Sequence, residues 1–132
     1  MLSNLVRDLP YLFHTNRELG LMLRGCKPLA YFIDGKDWFP DIMLRYFRLF
    51  DRAVAAGQMR RHDHFSQADG VGAQVYHHVL FALPGEEWRI QPMLDLMLAD
   101  TPWTAVQERR QGELLGYADW MNDYWLEHIY VQ

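Results

Sequence analysis

Apolar residues recur along this chain with two different periods, and these periods divide it into helices and strands. Between Pro40 and Gly57 they follow one another at steps of three and four, which predicts an amphipathic helix. The same spacing predicts a helix over residues 2–13, interrupted at Pro10, and three helices after Pro92. Two stretches, Thr15–Glu18 and Thr104–Gln107, have the form of capping boxes, which start helices.

Three segments are predicted to be strands. Residues 29–33 form a short apolar, aromatic and β-branched run, which is typical of a buried strand. Residues 58–66 and 73–83 are predicted to form a hairpin, with Asp69 and Gly70 as its two-residue turn. The expected fold is therefore α+β, with a small, mostly antiparallel three-stranded sheet and about five to six helices packed on one side. An all-helical fold with a peripheral hairpin is the alternative.

Composition adds limits to this picture. The 132 residues are 50% hydrophobic and carry no Pro/Gly/Ser-rich linker, so a single domain over residues 1–132 is expected. No apolar run is long enough for a secretory or membrane-spanning segment. The one cysteine, Cys26, indicates a reducing compartment, hence a cytoplasmic location, and is expected to be a small buried or half-buried apolar residue.

Charge is unevenly distributed along the chain. The net charge is −4, which favours no general attraction for nucleic acid. Residues 1–66 hold ten Lys/Arg against seven Asp/Glu, whereas residues 67–132 hold three against ten. The acidic second half indicates a basic partner.

Motifs that name a reaction are missing from the sequence. Gly70–Gly72 lacks the later glycine and the following helix of a phosphate-binding loop. No nucleophile elbow surrounds Ser3 or Ser66, and paired cysteines for a zinc finger or deaminase are absent. A catalytic site is therefore not predicted.

Histidines cluster in the predicted hairpin. If Asp69 and Gly70 form a two-residue turn, His62 lies opposite His77, and His64 shares the face of His62. Three such imidazoles could hold a transition metal such as Zn. The competing interpretation is a polar sheet face without a cofactor, because a register shift of one residue separates the histidines.

The last predicted helix carries an acidic stripe, formed by Asp119, Asp123 and Glu127 at intervals of four residues. Trp120 and Tyr124 border it. One interpretation is a stripe that faces water or pairs with arginines of the central helix, namely Arg45, Arg48 and Arg52. The other is a surface for a basic protein partner.

These observations favour a non-enzymatic binding protein. Its most specific form is a small bacterial inhibitor or immunity-type protein that covers a basic partner with the five residues Asp119, Trp120, Asp123, Tyr124 and Glu127. A metal-binding protein or metal-dependent enzyme that uses the hairpin histidines is the alternative. A homodimer formed through the aromatic residues is the third.

Overall fold

The computed structural model describes residues 7–68, 70 and 72–130. They form α1 (Glu18–Leu23), β1 (Leu29–Gly35), α2 (Asp41–Ala55), β2 (Arg60–Gln67), β3 (Val75–Ala82), α3 (Ile90–Leu98), α4 (Ala105–Leu115) and α5 (Asp119–His128). A 3-10 turn, Glu87–Arg89, precedes α3. The three strands pair antiparallel in the order β1-β3-β2, so the α+β prediction is confirmed and the all-helical alternative is wrong.

Helices cover both faces of the sheet, not one. Phe47 and Phe50 of α2 pack with Phe81 on one face, where α1 also contributes Met22. On the other face, Leu80 packs with α3 and α4 in a second cluster; its buried members are Leu29, Leu80, Ala82, Met93, Leu94 and Leu114. The one-sided prediction is wrong because the central strand β3 is buried without alternation from residue 78 to residue 82, as strands covered on both faces are.

Of the two predicted capping boxes, one forms at the start of its helix and the other does not. Thr104 and Gln107 form the capping box at the start of α4, as predicted. Thr15 makes no cap: α1 begins after Arg17, and the Glu18 carboxylate instead accepts a hydrogen bond from the Tyr46 hydroxyl, which lies on α2. A tertiary partner has replaced the local one.

The first predicted helix begins outside the described residues, and residues 9–14 are not helical. This segment runs from residue 9 to α1 and carries Tyr11, Phe13 and His14. Aromatic contacts tie it to the other end of the chain, since Phe13 stacks on Trp125 of α5. It therefore packs against the C-terminal helices and forms one wall of a cleft.

Candidate functional site

A cleft of about 260 Å³ lies between residues 11–18, which lead into the first turn of α1, and the helices α4 and α5. Its floor includes Lys27, which comes just before β1, and Tyr31, which lies in β1. Five aromatic side chains line this aromatic cleft: Tyr11, Phe13, Tyr31, Tyr117 and Trp125. Polar and charged side chains line it as well, and a concave site that combines apolar rings with polar groups is suited to a small molecule.

The aromatic rings hold one another in place. Phe13 stacks on Trp125 with ring centroids 5.6 Å apart. Tyr11 meets Tyr117 edge to face at 5.9 Å, and His14 stacks on Tyr117 at 3.8 Å. Such pairs contribute about 0.5–1.5 kcal/mol each beyond the area they bury. The wall is consequently preorganised before any ligand arrives.

Lys27 is the most unusual group of the cleft, because a lysine is rarely buried without a carboxylate partner. Its side chain is 1% exposed. The ammonium donates to the Leu115 carbonyl at 3.1 Å and lies 2.9 Å from His14 Nδ1. Burial lowers the pKa of Lys27 to about 7, against a smaller opposing effect of the Glu18 charge. The group therefore changes its charge near neutral pH.

His14 is neutral in this arrangement. Burial and the nearby Lys27 charge lower the pKa of its imidazole to about 3. Because Nδ1 accepts from the Lys27 ammonium, the ring proton resides on Nε2. The backbone N–H of His14 donates to the Tyr117 hydroxyl at 2.9 Å. These bonds fix the segment 11–18 against the end of α4.

Two carboxylates line the cleft. Glu18 accepts the hydrogen bond from Tyr46 at 3.0 Å. Glu108 of α4 accepts the indole N–H groups of Trp103 and Trp125, each at 2.8 Å. With His14 neutral and Lys27 able to lose its proton, the formal charge facing the cleft is negative.

Close approach of α4 and α5 shapes one end of the cleft. Asn122 of α5 is buried, donates to the Tyr117 carbonyl at 3.2 Å, and touches α4 at Gly112, where a Cβ would overlap its side-chain oxygen. Gly116, with φ of 95°, ends α4 and packs directly on Pro28. These small residues let Leu115 bring its carbonyl to Lys27.

The histidines do not form the predicted patch. Gln67 pairs with Val75, so residues 68–74 make the connection, and Asp69 lies outside the described residues. His62 therefore faces Leu80 rather than His77, and the predicted register is wrong by an odd number of residues. An odd shift turns one strand over, so His77 lies on the sheet face opposite to His62 and His64.

His64, His77 and His78 have other partners in the hairpin. His77 lies 2.7 Å from Asp63 and stacks on Phe65, while His64 is paired with His78 across the strands. His78 is buried, with Tyr31 Oη 2.7 Å from Nδ1 and Ser66 Oγ 2.7 Å from Nε2. Burial, with smaller effects of His64 and His77, lowers the pKa of His78.

A metal site at His62, His64 and His77 is consequently not supported by the geometry. Within residues 7–68, 70 and 72–130, no group of three histidine, cysteine or acidic side chains is placed to hold a metal ion. The reason is that seven residues, 68–74, connect β2 and β3, whereas the prediction assumed a turn of two residues.

Cys26 also differs from its prediction: it is exposed, because it lies in the turn that follows α1.

The acidic stripe lies on α5 as predicted, but its internal partner is different. Asp123 forms an ion pair of 2.8 Å with Arg109 of α4, not with Arg45, Arg48 or Arg52 of α2. Glu127 lies 3.8 Å from His128. Of the bordering aromatics, Trp120 is 51% exposed and meets Tyr11 edge to face, and Tyr124 also contacts Tyr11.

Comparison with protein-family models, curated proteins and solved structures finds no match for this chain. Among the described helices, none combines the length and apolarity that crossing a membrane requires. The aromatic cleft and the surface of α5 are therefore the two features that bear on function.

Proposed function

We propose that this protein is a binding protein whose aromatic cleft takes a small organic molecule. The observation that carries the proposal is the cleft itself: five aromatic rings surround about 260 Å³ of space beside a buried lysine and two carboxylates. Small-molecule sites are concave and combine aromatic side chains with polar groups that orient the ligand. The volume suits one substituted ring rather than a large cofactor.

Hydrogen-bonding groups at the cleft remain open to a ligand. The Tyr117 hydroxyl accepts from His14 and keeps its own proton free among the described residues. The Thr15 hydroxyl makes no hydrogen bond to the described residues. Gln111 uses its amide nitrogen only for a long contact of 3.9 Å with the Met97 sulfur. A ligand with a ring and one or two polar groups would satisfy both the apolar and the polar parts of the wall.

A variant that fills the cleft should abolish binding. We expect phenethylammonium, 2-phenylethanol or phenylacetate to raise the thermal midpoint of the wild type, because a ligand at a hundred times its Kd adds about 2.7 kcal/mol to the free energy of unfolding. Gln111→Trp should remove that shift by occupying the space. Differential scanning fluorimetry checks this.

The matched control is Gln91→Trp, since Gln91 is exposed on α3 and does not line the cleft. That variant should respond to the probes as the wild type does. No response of the wild type to any of the three probes, at concentrations up to their solubility, would contradict the proposal.

The surface of α5 supports a second candidate, an inhibitor or immunity-type protein that covers a basic partner protein. Asp119 and Glu127 have no lysine or arginine partner among the described residues, although Asp123 has one. The half-exposed Trp120 beside them is the kind of residue that anchors interfaces. Complementary charge would speed encounter with a basic protein.

The structure makes a definite prediction for Asp123→Asn. Because Asp123 pairs with Arg109 and both side chains are partly exposed, the change should lower the free energy of unfolding by about 1 kcal/mol or less. Glu127→Gln, which breaks no pair with lysine or arginine and removes a negative charge from the last turn of α5, should leave stability unchanged or raise it slightly. Urea denaturation at low salt measures both, and equal effects of the two variants would contradict the pair.

A further inference from the structure

Fixed charges around the aromatic cleft favour one class of ligand. Glu18 and Glu108 both line the cleft, and His14, which lines it too, is neutral. The single positive group, Lys27, is 1% exposed and already donates to His14 and to the Leu115 carbonyl. Among the described residues, Glu108 likewise uses both of its oxygens, on Trp103 and Trp125, so the Glu18 carboxylate is the charged group that remains to meet a ligand.

The aromatic rings that line the cleft also favour a positively charged ligand. Aromatic faces carry a negative quadrupole and attract cations within about 6 Å of the ring centroid. Tyr11, Phe13, Tyr117 and Trp125 form a continuous aromatic wall through their mutual contacts. Such a wall beside carboxylates is the arrangement that recognises organic ammonium groups.

The helix α5, which contributes Trp125 to the cleft, also carries the acidic stripe. Tyr11 lines the cleft and contacts Trp120, which borders the stripe, at 5.4 Å. Asp119 and Glu127 of the stripe are exposed, and Asp123 is paired with Arg109. A surface of one sign raises the local concentration of ligands of the opposite sign.

We infer that the ligand of the aromatic cleft is a small organic cation, a primary or quaternary ammonium attached to an apolar or aromatic group. This inference rests on the proposed function, because it identifies the ligand class of the same cleft. The ammonium lies beside the aromatic rings and near Glu18 Oε2, which accepts no hydrogen bond from the described residues, and the apolar part fills the remaining space.

Binding of a cation is coupled to the charge of Lys27. Two positive charges in one partly buried cleft repel each other, so the bound state favours neutral Lys27. The affinity should therefore increase as the pH rises through about 7, the pKa of Lys27. An anionic ligand would show the opposite dependence. The other titratable groups that face Lys27 or the cleft are Tyr11, His14, Glu18, Tyr31, Glu108 and Tyr117.

The test uses three probes of similar size that differ in charge. In isothermal titration calorimetry of the wild-type protein, phenethylammonium should bind about tenfold more tightly than 2-phenylethanol, and phenylacetate should bind most weakly. The affinity for phenethylammonium should rise between pH 6 and pH 8, while the affinity for 2-phenylethanol stays constant.

Glu18→Gln should reduce the affinity for phenethylammonium about tenfold and leave that for 2-phenylethanol unchanged. The glutamine carbonyl still accepts from Tyr46, which preserves the packing of α1. Glu113→Gln is the matched control, because it removes the same charge from α4 outside the cleft, and it should bind like the wild type.

The outcomes separate the two proposals. Equal affinities for the cation and the alcohol, or tightest binding of phenylacetate, would overturn the cation inference while the cleft remains a ligand site. An unchanged affinity of Glu18→Gln for phenethylammonium would overturn it too. If none of the three probes binds, the proposed function fails together with the inference.

Discussion

Raising the pH from 7 to 9 should increase the free energy of unfolding of this protein. The pKa of Lys27 is lowered from 10.5 to about 7 in the folded state. Between these two values the unfolded chain binds the lysine proton and the folded chain does not, so stability rises with pH across that window. The gain should reach about 2 kcal/mol by pH 9 for a shift of this size.

Lys27→Met should flatten this pH dependence, whatever its effect on stability at pH 7. Lys36→Met is the control, because Lys36 is exposed and its removal should leave the slope unchanged. Of the titratable groups beside Lys27, His14 has a pKa of about 3, and Tyr117, whose ring centroid lies 6.0 Å from Nζ, has one of about 12, so neither titrates in the window. Urea denaturation at a series of pH values measures the slope, and an equal slope in both variants would contradict the assignment to Lys27.

Gly116→Ala should be among the most destabilising single substitutions in the chain. Gly116 has φ of 95°, a region in which an L-residue costs about 1–2 kcal/mol. The new Cβ would also overlap the ring of Pro28, lying 2.9 Å from its Cγ and closer to its Cδ. Strain and overlap together should lower the free energy of unfolding by about 3 kcal/mol or more.

Gly57→Ala separates the two causes. Gly57 follows the end of α2 with φ of 76°, but no atom lies within 4 Å of the position its Cβ would take. That variant should cost only the strain, about 1 kcal/mol. Gly116→Ala should also weaken ligand binding, because Pro28 follows Lys27 and Leu115 precedes Gly116 at the floor of the cleft. Equal losses of stability in the two variants would mean that Pro28 moves aside.

Much of the secondary structure was predictable because its signals are local. The steps of three and four between Pro40 and Gly57 indicate the helix that the structure places at Asp41–Ala55. Thr104 and Gln107 cap α4 through bonds that span only three residues. The same pattern at Thr15 forms no capping box, and the Glu18 carboxylate accepts a hydrogen bond from Tyr46 of α2 instead.

The candidate site was not predictable from the same signals. Tyr11, Lys27, Glu108 and Trp125 belong to four separate segments and share no motif. The histidine patch failed for a related reason: the length of the connection at residues 68–74 decides the register, and an odd difference turns the side chains to the other face.

By itself, the sequence determined the α+β class, the positions of most helices and strands, and the acidic stripe on one face of α5. These depend on periodicity, caps and helix-ending glycines, which act between residues a few positions apart. Only the tertiary structure decided the pairing of β2 with β3, the partner of Asp123 and the burial of Lys27. Each of these depends on contacts between distant segments, such as Lys27 with Leu115, and a buried charge acquires its pKa only when those segments exclude water around it.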